Sequence, residues 1–381
     1  MADKTRNIFE EVGTTQKQVA APGGIDKGNS GARKQIRTWL VILFALVAVM
    51  IAVGGLTRLT DSGLSITEWK PINGAIPPTS LEAWEEEFNK YREIPEYIEQ
   101  NKGMTLAEFK VIYWWEWGHR QLGRVIGLVW ALGFAYFYVT RKIPNGWTSR
   151  LLLLGGLGGL QGAVGWWMVS SGLKPGMLDV ASYRLAIHLG LAFVIFGFLT
   201  WNILQLSRRE SDLLKARRAG NPILFTLATV LLAFTFFQIL LGALVAGIDA
   251  GRAYPDWPLM AGGFFPPQPF DLQPVWRNFF EDAGLVQFMH RIAGYILFLF
   301  GVYAVIRMRG SANSSIRFAA HAVIAMMFLQ MVIGIFTVMY SAPVHIAIVH
   351  QFGAVILWVL VLRARFLTRY PHPQSIRGNG I

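Results

Sequence analysis

Apolar residues gather in eight long stretches along this chain, at about residues 37–59, 115–140, 150–171, 184–206, 222–248, 285–308, 317–340 and 344–366. Each is about as long as an α-helix must be to cross the hydrocarbon core of a bilayer, roughly 20 residues. The pattern predicts an all-α integral membrane protein with eight transmembrane helices. A polar tail at 1–36, a linker at 207–221 and a tail at 367–381 separate and flank them. The loop at 60–114 is the longest connection. It carries two capping-box patterns, Thr79-x-x-Glu82 and Thr105-x-x-Glu108, each predicting a helix start. The second start is positioned to run on into the second span.

The polar flanks set the orientation. Of the 35 Lys and Arg, 22 lie in the N-terminal tail up to Arg37, in the loops at 141–150, 207–221 and 307–317, and in the C-terminal stretch 363–381. The opposite loops and span ends hold 10, and Arg120, Arg124 and Arg291 lie within spans. Basic residues accumulate on the cytoplasmic side, so both termini are expected in the cytoplasm. The net charge of +12 therefore reflects membrane topology and does not point to nucleic acid. The N-terminal tail has neither the apolar core of a signal peptide nor the acid-poor composition of a mitochondrial presequence.

The chain repeats itself. Gly54-Gly55-Leu56, Asp61-x-Gly63 and Glu68-Trp69 match Gly242-Ala243-Leu244, Asp249-x-Gly251 and Asp256-Trp257 at a constant offset of 188. His119-Arg120-x-x-Gly123 matches His290-Arg291-x-x-Gly294, Gln161-x-x-x-Gly165 matches Gln330-x-x-x-Gly334, and His188 matches His350. Four spans are duplicated. An even number preserves orientation, which predicts two pseudo-symmetric four-helix bundles, 37–206 and 222–366, related by an axis along the membrane normal.

The duplication organises the chemistry. His119, His188, His290 and His350 fall in the second and fourth spans of each repeat, at one depth. Facing imidazoles in a four-helix bundle make an axial-ligand pair for heme iron. A lone His on an apolar helix is usually a hydrogen-bonded core residue, but two duplicated pairs at one depth are harder to explain that way. His321 lies near the other face and reads as structural, His345 as a loop or interface group, and His372 belongs to the tail. The chain has no cysteine, which removes disulfides, iron–sulfur clusters and thiolate-ligated heme. Zinc is disfavoured because no histidines show the i,i+4 spacing of a helical zinc pair. Arg58, Arg120, Arg184 and Arg291 are candidates for heme propionates through charge-assisted hydrogen bonds, and equally for interfacial snorkelling. The two halves differ one turn before their first histidine: Glu116 precedes His119, and Gln287 precedes His290. A carboxylate beside a reacting group can act as a general base or stabilise a developing cation. The same stretch also fits a helix end with an interfacial His.

Gly54-Gly55-Leu56-Thr57-Arg58-Leu59-Thr60-x-Ser62-Gly63-Leu64-Ser65, Glu68-Trp69-Lys70-Pro71, Glu116-x-x-His119-Arg120-x-x-Gly123-Arg124, His290-Arg291 and His350 together closely resemble the heme A synthase family, in its cysteine-free alphaproteobacterial and mitochondrial branch. The resemblance runs from about residue 37 to 370. It implies oxidation of the C8 methyl of heme O to the formyl of heme A for terminal oxidase assembly, in a bacterial inner membrane. It further implies substrate heme on His119 and His188, heme b on His290 and His350, and Glu116 as the essential carboxylate. Heme O is then the substrate and membrane lipid the surroundings. Heme O synthase, an electron donor or acceptor, and further copies of the chain in a homo-oligomer stand as partners to be tested. A di-heme b-type electron-transfer cytochrome is the alternative, and a parallel-repeat transporter is a further rival.

Overall fold

The computed structural model describes residues 30–373. The start of the expected N-terminal tail and residues 374–381 of the C-terminal one lie outside the described residues. Among the described residues eight helices are long and apolar enough to cross a membrane: Ala32–Leu59, Leu106–Val139, Thr148–Gly172, Ser182–Leu206, Pro222–Gly247, Ala283–Arg309, Ser314–Met339 and Val344–Arg369. Among the described residues there is no strand beyond one isolated bridge, Met260 with Gly263. The protein is an all-α, multi-pass membrane protein.

Each half closes in the same order. The first span packs on the second and fourth, and the third on the second and fourth. The fifth span packs on the sixth and eighth, and the seventh on the sixth and eighth. The halves meet where the fourth span lies against the fifth and the eighth against the first and fourth. Gly197 makes that junction close, because a Cβ there would come within 3.0 Å of the Trp358 indole nitrogen. Phe193, Phe196, Val355 and Trp358 fill it and are all buried.

Several helix ends differ from the apolar pattern for identifiable reasons. The first helix begins at Ser30, ahead of its apolar run. Arg33 extends it by donating to the Gln205 and Arg208 carbonyls at the end of the fourth span. Carbonyls at a helix C-terminus have no partner within their own helix. The linker at 207–221 contains a helix, Glu210–Arg218. Arg208 then ties it to the Tyr370 carbonyl at 2.8 Å. In the long loop the first helix is capped by Ser80, not Thr79, through the Ala83 amide at 3.2 Å. The second capping box forms as expected. Thr105 and Glu108 cap each other, and the helix continues unbroken for 34 residues. At 1.5 Å per residue that is about 51 Å, well beyond a hydrocarbon core of about 30 Å. Its first turns therefore project with the long loop, and His119 sits near the loop-side boundary.

Candidate functional site

The four paired histidines are each met by a glycine of a neighbouring helix. A Cβ on Gly54 would come within 3.1 Å of the His119 ring, and one on Gly242 within 3.1 Å of His290. The corresponding distances are 2.8 Å for Gly165 to His188 and 2.9 Å for Gly334 to His350. An alanine at either of the last two positions would displace the imidazole. The duplicated glycines are therefore the space in which the histidine rings stand.

In the C-terminal half the His290 and His350 ring centroids are 6.4 Å apart, with the rings nearly perpendicular at 89°. Metal–imidazole bonds of about 2.0–2.1 Å place two imidazoles on opposite sides of one metal with centroids roughly 6.3 Å apart. The observed spacing fits a single iron between them. Buried polar atoms at this site also lack partners: His350 Nδ1, Gln238 Oε1 and Gln330 Oε1. Buried polar groups normally find a partner, so these fit a place built for a further group. In the N-terminal half His119 and His188 lie within electrostatic range of one another.

Glutamines, which the sequence marks only as part of a repeat, anchor three of these histidines. Gln161 donates to the His188 carbonyl at 3.0 Å, Gln238 to that of His290 at 2.9 Å, and Gln330 to that of His350 at 2.9 Å. The Gln238 amide nitrogen is also 3.0 Å from His290 Nδ1. His321, His345 and His372 are exposed. Among the described residues no group of three or more His, Asp or Glu converges as a ligand set for a bare metal ion.

Glu116 is buried and saturated with hydrogen bonds. Its Oε2 accepts from Ser65 Oγ and the Ile66 amide, both at 2.8 Å. Its Oε1 accepts from the Arg120 guanidinium at 2.7 and 3.1 Å. Arg120 also donates to the carbonyls of Ile66 at 2.7 Å and Glu68 at 2.8 Å. The other half repeats this clasp. Arg291 donates to the carbonyls of Tyr254 and Asp256, each at 2.9 Å. Those two residues stand 188 positions after Ile66 and Glu68. Gln287 closes the second clasp with opposite polarity, donating to the Tyr254 carbonyl at 3.2 Å. One half thus places a carboxylate at this point and the other an amide.

Of the remaining arginines, Arg184 donates to the Trp167 carbonyl at 2.6 Å and lies over its ring at 4.4 Å. Arg58 is shared between the halves. It pairs with Asp61 at 2.7 Å, with Asp249 at 2.9 Å and with Asp179 at 3.4 Å. Asp61 and Asp249 are repeat equivalents, and both adopt positive φ, +48° and +51°. Arg58 itself has Ala246 as its counterpart at the same offset, so a single cation joins both duplicated turns.

Beside this cluster lies Glu96, in the short loop helix Pro95–Glu99. It is 3% exposed, and its Oε2 has no partner. Burial, then the negative charges of Asp179, Glu116 and Asp61, push its carboxyl up to about 8, against an ordinary value of 4.5. The folded protein keeps this proton where the unfolded chain has lost it, so rising pH favours unfolding between those two values. Thermal unfolding of the solubilised protein should show stability falling from about pH 4.5 to 8. Glu96→Gln should flatten that fall; an unchanged slope would show that Glu96 is not its source.

Residues 37–362 match the cytochrome oxidase assembly protein family. The chain belongs to this family. It is similar along almost its whole length to proteins named heme A synthase. The one from Ruegeria sp. (strain TM1040) is 63% identical over 378 residues, covering 98% of this chain and 99% of that protein. The one from Dinoroseobacter shibae is 64% identical over 378 residues, with the same coverage. The one from Paracoccus denitrificans is 56% identical over 375 residues, covering 98% of each. The family match spans both halves, including all four paired histidines and both arginine clasps.

Proposed function

We propose that this family member is a heme A synthase, an oxidoreductase that converts heme O to heme A by oxidising the C8 methyl to a formyl group. The observation that carries the reading is a duplicated histidine pair of which only one copy has a carboxylate beside it. His119 and His188 hold the substrate heme, and His290 and His350 hold a heme b. The 6.4 Å ring spacing supports the second assignment. When bound, heme b supplies reversible one-electron chemistry, and its place in the neighbouring bundle suits it to relay electrons.

Glu116 is the residue for the methyl chemistry. Two successive two-electron oxidations take the methyl through an alcohol to a hydrate, which loses water to leave the formyl. Written with water as the oxygen source and an external acceptor for the electrons, each oxidation replaces a C–H bond by a C–O bond and releases two electrons and two protons, and a carboxylate can accept a proton or stabilise a developing cation. Arg120 and Ser65 hold this carboxylate in place, so its position does not depend on its own rotamer freedom. Arg58, Arg120, Arg184 and Arg291 are the propionate candidates. Each already donates to a protein carbonyl or carboxylate, so a propionate there shares the guanidinium with that acceptor. The distribution of 22 basic residues against 10 supports cytoplasmic termini in a bacterial inner membrane, with the sites on the outer side. Heme O synthase and an electron donor or acceptor are the partners such a reaction calls for.

Extraction of the pigments from purified protein tests the reading. Heme b together with heme O, or its hydroxylated derivative, is the expected result. Two unmodified heme b groups would favour an electron-transfer cytochrome, and a protein that functions without heme would favour a transporter.

A further inference from the structure

Three of the four paired histidines are anchored by an amide, and the fourth is not. Gln161, Gln238 and Gln330 hold the carbonyls of His188, His290 and His350. Among the described residues no side chain donates to the ring or the carbonyl of His119. The offset of 188 that aligns Gly54 with Gly242 puts Met50 at the position of Gln238. The packing shows the same equivalence. The Met50 methyl lies 3.5 Å from where a Cβ on Gly123 would stand, and the Gln238 amide nitrogen 3.2 Å from one on Gly294. Gly123 and Gly294 each follow their histidine by one turn.

The exchange of amide for thioether has a direct consequence. An amide donates to the helix carbonyl through its nitrogen, and its oxygen can accept from the Nδ1–H of a ring that ligates through Nε2. A thioether donates no hydrogen bond and is a weak acceptor. Met is also unbranched and adapts its shape to its surroundings. The His119 ring is met by Gly54, but the helix at His119 lacks the amide that anchors the other three histidines at their carbonyls.

We propose that Met50 makes His119 the displaceable axial ligand of the substrate heme, leaving His188 as the fixed one, while Gln238 and Gln330 anchor the helix carbonyls of both heme b ligands. This rests on the two-heme assignment above. The division suits the two roles. A substrate porphyrin must leave as product in every turnover, whereas a resident cofactor must not.

The test is a reciprocal exchange, Met50→Gln and Gln238→Met, read with carbon monoxide on dithionite-reduced purified protein. A displaceable histidine lets carbon monoxide reach the iron, and a locked pair excludes it. In the wild type, carbon monoxide should shift the spectrum of the substrate-class heme and leave heme b unchanged. One restored hydrogen bond in Met50→Gln should lower carbon monoxide binding at the substrate heme roughly three- to tenfold, with that pigment still extractable. Gln238→Met should make heme b reactive to carbon monoxide. Wild-type behaviour in both variants, with both pigments bound, would overturn the proposal. If Met50→Gln does not accumulate, Gln238→Met decides, and an inert heme b in it counts against the proposal. A wild-type protein with one pigment class would overturn the two-heme assignment itself, which pigment extraction distinguishes from failure of the ligand exchange.

Discussion

Glu116→Gln is expected to lower heme A formation by about 10²–10⁴-fold, the loss typical of a missing acid–base group, while heme b stays bound. The substitution is close to isosteric. A glutamine oxygen can still accept from Ser65 Oγ and the Ile66 amide, which now lie 2.8 Å from the carboxylate. Arg120 keeps its two loop carbonyls, so most of the clasp survives. What disappears is the negative charge and one ion pair. Ser65→Ala provides the contrast, because it removes a hydrogen bond from Glu116 and leaves the charge. If Glu116 served only to hold the loop, the two variants should lose similar amounts of activity. Gln287→Glu should not rescue Glu116→Gln, since its side chain meets Tyr254 in the other half. Heme A is to be measured by pigment extraction from cells that make heme O and lack their own synthase. A wild-type yield from Glu116→Gln would reduce this residue to a strut of the long loop.

His290→Ala or His350→Ala should abolish the low-spin heme b spectrum altogether. The two rings stand at the separation of a ligand pair. An alanine would leave one face of the iron without a protein ligand. His321→Ala should leave the spectrum intact, because His321 is exposed near the opposite end of its helix. A normal low-spin spectrum in both C-terminal variants would exclude this pair as the axial ligands.

Much of this arrangement is legible in the residues because it is carried by side-chain identity. Apolar length marks the eight spans, and duplicated His, Gly and Arg mark the four-span repeat. The Glu116 and Gln287 difference is visible once the histidines are aligned. The clasps are not legible in the same way. Arg120 and Arg291 bind main-chain carbonyls of Ile66, Glu68, Tyr254 and Asp256. Any residue type supplies a carbonyl, so Ile66 and Tyr254 give no sign of equivalence. Arg58 shows the converse. Its residue type suggests an anion from outside, yet three aspartates of the chain surround it, one of them from the other half. Long-range ion pairs of this kind depend on how the helices meet, which local pattern does not contain. Met50 and Gln238 do not stand out because the matched motif begins one turn later, at Gly54 and Gly242. The cap falls on Ser80 and not on Thr79 because both adjacent hydroxyl residues can cap a first turn, and it is Ser80 that reaches the Ala83 amide.

The most direct test is the wild-type chain itself in cells that make heme O and have no synthase of their own. Extracted pigments should contain heme A, with heme O correspondingly depleted. Membranes that hold the inserted protein and its heme b, yet contain heme O and no heme A, would contradict the assignment of heme A synthesis to this protein.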